Sequence, residues 1–131
     1  VAQANVSINK TRGTLRGLHF QRPPKAEDKI VHCVKGRIYD VVLDLRPDSD
    51  TYGKWSSYEL SESEPTSIYV PKGCAHGFQT LADQCEILYF MSEFYSPEHY
   101  TGVRWDDPRF GMTWPLEDPI LSFQDQSWPL L

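Results

Sequence analysis

Arg16 and His19 stand three residues apart in the run Gly13-Thr14-Leu15-Arg16-Gly17-Leu18-His19-Phe20-Gln21. Lys29 follows, then His76 within Pro71-Lys72-Gly73-Cys74-Ala75-His76-Gly77-Phe78, and Tyr89 within Ile87-Leu88-Tyr89-Phe90. An imidazole can take a proton, a cation can hold a developing oxyanion, and a phenol can return a proton. A proton transfer directed by a carbonyl needs those three parts. Each residue also has a plainer use. A lone histidine is more often a hydrogen-bonded side chain lining a core. Taken alone, Lys29 reads as a solvated lysine, and Tyr95 and the tryptophans read as packing.

These groups must be held by the elements around them. Ten prolines and eight glycines punctuate short runs rich in Val, Ile, Tyr and Phe, the texture of strands and turns. The pattern predicts strands over Thr14–Phe20, Lys29–Val34, Ile38–Leu45, Trp55–Leu60, Ser67–Val70, Gly77–Leu81 and Glu86–Glu93. Lys35-Gly36 reads as a tight hairpin turn. No helical period persists beyond a turn or two. After Ser96 the chain becomes irregular and aromatic-proline rich, as in segments that wrap a sheet and cover a pocket. Many short strands predict an all-β sandwich or barrel closed on itself.

Alternate side chains of a strand share a face. A flat strand would put Leu15, Gly17 and His19 on one side and Arg16, Leu18 and Phe20 on the other. A bulge at Gly17 would bring Arg16 and His19 together, and a glycine inside a strand often marks one. Asp40 and Asp44 share a face among apolar neighbours. A carboxylate in such a place needs a partner, and Asp40 could orient a base or pair with Lys29.

The chain has 131 residues, 40% of them hydrophobic and 13% aromatic, the size and composition of one ordered domain. A net charge of -5 argues against nucleic acid and anionic membrane as partners. Clustered Arg and Lys could still hold a phosphate. Three cysteines without CxxC spacing read as free thiols of a reducing, cytoplasmic compartment. No run approaches the roughly 20 apolar residues of a membrane span. The opening without Met suggests a chain trimmed from a longer one.

Pro71-Xaa-Gly73-Xaa-Xaa-His76 is similar to the second motif of cupin barrels. The first motif would be His19-Phe20-Gln21, with Gln where metal cupins carry a second His. A lone His with a Gln is a poor transition-metal site, so the barrel is expected and a metal is not. The chain as a whole resembles the dTDP-4-dehydrorhamnose 3,5-epimerases, metal-free cupin-like enzymes of deoxysugar biosynthesis. The resemblance rests on Leu15 to Gln21, Gly36-Arg37-Ile38-Tyr39-Asp40-Val41, Tyr52-Gly53-Lys54-Trp55, Pro71 to Phe78, Tyr95-Ser96-Pro97-Glu98-His99, Trp105-Asp106-Asp107-Pro108 and Leu121-Ser122-Phe123-Gln124-Asp125.

That resemblance implies a cupin-type jelly roll, residues 1–131 forming one epimerase domain without the family's N-terminal segment. It implies no cofactor, a nucleotide-sugar substrate and a homodimer formed by sheet extension. His19 would be the base that removes the proton alpha to the C4 ketone, with Asp125 fixing its tautomer. Lys29 would stabilise the enolate oxygen, and Tyr89 would return a proton on the opposite face. Arg16 would bind pyrophosphate, His76 the substrate, Tyr95 the nucleobase, and Gln3 and Asn5 the nucleoside. Asp40 would belong to the active-site network. Phe90, Tyr100 and Gln124 depart from the family's usual residues and are expected near the pocket. The alternatives are inversion at one centre, C3 or C5, and a non-catalytic sugar-binding barrel.

Overall fold

Arg37 to Asp44 carries apolar residues at both odd and even positions, so that strand needs cover on both faces. The segment Cys74–Thr80 is buried at every residue. Two strands of this kind must lie inside a sheet that has layers on either side. The computed structural model describes residues 1–131 and has that arrangement. Its strands are β1 (Gln3–Asn9), β2 (Leu15–Gln21), β3 (Lys29–Lys35), β4 (Arg37–Asp44), β5 (Trp55–Ser61), β6 (Ser67–Val70), β7 (Cys74–Thr80), β8 (Cys85–Met91) and β9 (Tyr100–Gly102), followed by a single-turn helix α1 (Phe123–Gln126). They form a four-stranded sheet ordered β1-β8-β3-β6 and a five-stranded sheet ordered β5-β4-β7-β2-β9. All strand pairs are antiparallel. The expected all-β sandwich is therefore present.

Two apolar layers hold it together. Val31, Cys33, Ile38, Leu60, Ile68, Val70, Phe78, Cys85 and Ile87 fill the space between the sheets. A second cluster covers the outer face of the five-stranded sheet, where Val103, Phe110 and Met112 pack on Leu18, Val41, Leu43 and Ala75. The irregular C-terminal segment thus wraps a sheet, as its texture predicts. Cys33, Cys74 and Cys85 are buried free thiols.

Three expectations need correction. β1 and β9 lie where no strand is predicted. β7 begins at Cys74, three residues before the predicted start at Gly77. Gly36 does make a sharp turn, at φ +85, but β3 and β4 belong to different sheets. The turn is a corner between layers, not a hairpin. A Cβ at Gly36 would meet the Cys85 Sγ at 2.5 Å, so only glycine lets the chain cross so close to the core.

Candidate active site

The filling between the sheets changes character along the strands. At one end the inward positions carry the apolar cluster. At the other they carry Lys29 of β3, Tyr89 and Met91 of β8, Gln3 and Asn5 of β1, His76 of β7 and His19 of β2. The register explains the grouping: Asn5 lies opposite Tyr89, and both Gln3 and Lys29 lie opposite Met91. A cleft of about 720 Å³ opens there, lined by these residues together with Arg16, Gln21, Glu27, Tyr95, Tyr100 and Gln124.

Arg16 and His19 both reach the cleft because β2 is bulged. Its register against β7 shifts between them, with Arg16 opposite Phe78 and His19 opposite His76. Gly17 sits in this bulge at φ +119, and a Cβ there would stand 2.6 Å from the Gly77 Cα and 2.7 Å from the His76 carbonyl oxygen. The bulge needs a glycine on both counts.

His19 is held from behind. Its Nε2 lies 2.6 Å from the Asp125 Oδ1, with the side chains 23% and 4% exposed. Asp125 also accepts from the Trp128 Nε1 at 3.0 Å and from the Gly17 N–H at 3.2 Å. Its own N–H donates to the Ser122 Oγ, the cap of α1. Burial pushes the Asp125 carboxyl upward, but the His19, Trp128 and Gly17 hydrogen bonds hold it below its ordinary range. Burial lowers the His19 imidazole below its ordinary 6.5, against the opposing pull of Asp125. Burial therefore favours the neutral ring. Its Nε2–H donates to Asp125, leaving the Nδ1 lone pair free.

A second pair lies deeper. His76 Nε2 and Asp40 Oδ2 are 2.8 Å apart and almost wholly buried. Asp40 does not line the cleft but stands behind His76, and its Oδ1 accepts no hydrogen bond. Burial raises the Asp40 carboxyl above its ordinary value, opposed by His76 and then Lys29. Tyr89 packs edge-on against His76 with ring centres 6.0 Å apart. Burial, and next the charge of Asp40, raise its phenol well above 10, so it keeps its proton. Lys29 is buried beside Glu27 at 3.6 Å. Burial lowers its ammonium below the ordinary 10.5, opposed chiefly by Glu27.

The outer parts of the cleft are polar and aromatic. The Arg16 Nε donates to the buried Asn9 Oδ1 at 2.6 Å, which anchors the guanidinium. The Tyr95 N–H donates to the Gln3 Oε1 at 2.9 Å, tying the loop after β8 to β1. Tyr95 and Tyr100 meet edge-on at 5.3 Å, and Tyr100 lies 5.2 Å from the His19 ring.

The residues singled out from sequence thus gather at one place, with Asp40 and Asp125 one layer behind the wall. Tyr100 and Gln124 line it as expected, but Phe90 does not. Strand alternation puts Phe90 on the face of β8 opposite Tyr89. Glu27 and Trp128 received no role from sequence. Glu27 was detectable in principle, since it stands two residues before Lys29 and shares its face. Trp128 had no local signal, because its contacts are made across the fold. The arrangement brings an imidazole, a phenol and a lysine to the wall of one cleft. Such a set can take a proton from carbon, hold an oxyanion and give a proton back.

A family model described as dTDP-4-dehydrorhamnose 3,5-epimerase matches residues 1–131. The chain is similar to the dTDP-4-dehydrorhamnose 3,5-epimerase of Methanothermobacter thermautotrophicus, with 46% identity over 129 residues, 96% of this chain and 69% of that protein. It is also similar to the dTDP-4-dehydrorhamnose 3-epimerase of Streptomyces niveus, with 40% identity over 131 residues, 100% of this chain and 63% of that protein. Among solved structures, the Bacillus anthracis dTDP-4-dehydrorhamnose 3,5-epimerase with TDP and PPi bound superposes with a TM-score of 0.97. It is 46% identical, over 99% of this chain and 74% of that one. The likeness makes the fold a cupin-like β-sandwich.

Proposed function

The chain belongs to the dTDP-4-dehydrorhamnose 3,5-epimerase family, a family of isomerases, and from that premise we propose that it inverts C3 and C5 of dTDP-4-dehydro-6-deoxy-D-glucose to give dTDP-4-dehydro-L-rhamnose. The observation that carries the reading is the pair of opposed walls. His19, backed by Asp125, comes from the five-stranded sheet, and Tyr89 comes from the four-stranded sheet, and both line one cleft.

The His19 Nδ1 takes the proton from the carbon beside the C4 ketone. The C–H electron pair moves into an enolate, whose oxygen receives a hydrogen bond from the Lys29 ammonium. Loss of one such donor typically costs about 2.7–4 kcal/mol. Tyr89 then delivers its proton to the opposite face of the same carbon, and solvent restores both groups. The change is redox-neutral and asks for no cofactor. Arg16 takes the pyrophosphate, Tyr95 the base, Gln3 and Asn5 the nucleoside, and His76 the sugar, with Asp40 fixing His76. The reading includes a cytoplasmic homodimer, with sheet extension at the edge strand β1, whose Val6 and Ile8 are 56% and 61% exposed.

The second reading is inversion at one centre, favoured by the likeness to a 3-epimerase. Proton NMR of dTDP-4-dehydro-6-deoxy-D-glucose in heavy water separates the two. Loss of the C3 and C5 signals together supports the double epimerase. Loss of one supports the single-centre enzyme and makes Tyr100 the residue to change. No exchange at either centre would leave a binding protein. His19→Ala is expected to stop all exchange. Tyr89→Phe is expected to slow inversion more than exchange, and equal loss of both would give Tyr89 a structural role only.

A further inference from the structure

Glu27 is a carboxylate on the cleft wall that the proposed reaction leaves without a task. Glu27, in the segment just before β3, and Lys29, the first residue of β3, both line the cleft. The Asp28 between them points outward and is clamped. Its N–H donates to the Ser92 Oγ at 2.8 Å, and its carbonyl accepts from the Ser92 N–H at 3.0 Å. Its Oδ1 accepts from the Lys72 N–H and the Tyr69 hydroxyl. That clamp fixes the strand's rotation and with it the inward pair. The Glu27 Oε1 lies 3.6 Å from the Lys29 Nζ, with the side chains 9% and 10% exposed.

We propose that Glu27 is a positioning residue, whose carboxylate keeps the Lys29 ammonium charged and aimed at the C4 oxygen. The inference rests on the epimerase reading above. An ammonium so removed from water tends to lose its proton, and a neutral amine is a weak partner for an enolate. The charged and titratable groups around Lys29 divide by element. Glu27 precedes it on the same segment, Asp40 stands on β4, and His19 and His76 stand on β2 and β7. Tyr89 comes from β8 and Tyr100 from β9. Asp40 is already committed to His76, which leaves Glu27 as the carboxylate in ion-pair contact with Lys29. Glu93 adds a negative charge near Glu27 but is paired with Lys25 at 3.9 Å. Burial raises the Glu27 carboxyl, opposed by Lys29.

The test follows the Lys29 side chain directly. Protein labelled with carbon-13 in lysine is titrated by NMR as wild type, Glu27→Gln and Glu27→Asp. The Lys29 signal is assigned by its loss in Lys29→Met, and circular dichroism checks each fold. The Lys29 midpoint is expected to fall by about 1–3 pH units in Glu27→Gln and to return in Glu27→Asp. The alkaline limb of kcat for solvent exchange should move with it, while KM changes little. A Lys29 midpoint unmoved by Glu27→Gln overturns the proposal. So does a shifted midpoint with an unshifted kcat profile. A wild type that exchanges no proton of the nucleotide sugar removes the epimerase reading and the positioning role with it, and the Lys29 titration still decides whether the pair exists.

Discussion

Asp125 sets what His19 can do, and the setting is a matter of one atom. A carboxylate only accepts hydrogen bonds, so it forces the proton onto Nε2 and leaves Nδ1 basic. Asparagine has the same shape but offers an amide donor, which can turn the ring to the other tautomer. Asp125→Asn is therefore expected to lower kcat by about 10²–10⁴-fold, the range of a positioned general base. The pH profile should change as well. In the wild type His19 is lowered by burial, so exchange is expected to rise with pH through a midpoint below 6.5. Asp125 opposes that lowering. Removing its charge should move the acid limb to still lower pH while the plateau falls. An acid limb that moves to higher pH would mean that Asp125 does not favour the imidazolium.

β2 illustrates how an element can be read both in outline and in its main irregularity. The strand was legible from its apolar residues, and the break at Gly17 from the conflict between strand period and shared chemistry. Gly17→Ala puts a Cβ into the Gly77 backbone at a positive φ. Strain of that kind costs about 1–3 kcal/mol. The expected result is a lower denaturant midpoint together with loss of activity, because relaxing the bulge would part Arg16 from His19. A fully active, equally stable variant would show that the bulge is not required. β1 escaped sequence reading for a physical reason. Gln3, Asn5 and Ser7 lie on one face and the apolar Val6 and Ile8 on the other, and all five border the cleft. The alternation is present but inverted, which is how a site-lining edge strand differs from a core strand. β9, with three residues, is too short for any period. The corner at Gly36 looks like a hairpin locally, since only the rest of the sheet order reveals that its two strands part.

Over the whole molecule, the space between the sheets is divided lengthwise. Its apolar half supplies the stability, and its polar half holds buried groups that cost stability. The apolar half was legible from composition and strand pattern. The polar half was legible mainly where residue types suggested chemistry, and pairings such as Glu27 with Lys29 waited on the fold. The C-terminal segment closes the arrangement, because Asp125 lies 106 positions from His19 and reaches it only by wrapping the sheet. Trp128 travels with it. Its indole is packed so closely on Gly102 that a Cβ there would stand 2.5 Å from the Trp128 Nε1. It donates to Asp125 and stands edge-on to His19 with centres 6.1 Å apart. A protonated imidazole quenches the emission of an indole beside it, and a neutral one does so far less. Trp128 is thus an optical gauge of the base. Its fluorescence should brighten as pH rises through the His19 midpoint, and that rise should vanish in His19→Gln. The charge state of the base could then be followed by light in protein that has never met a substrate.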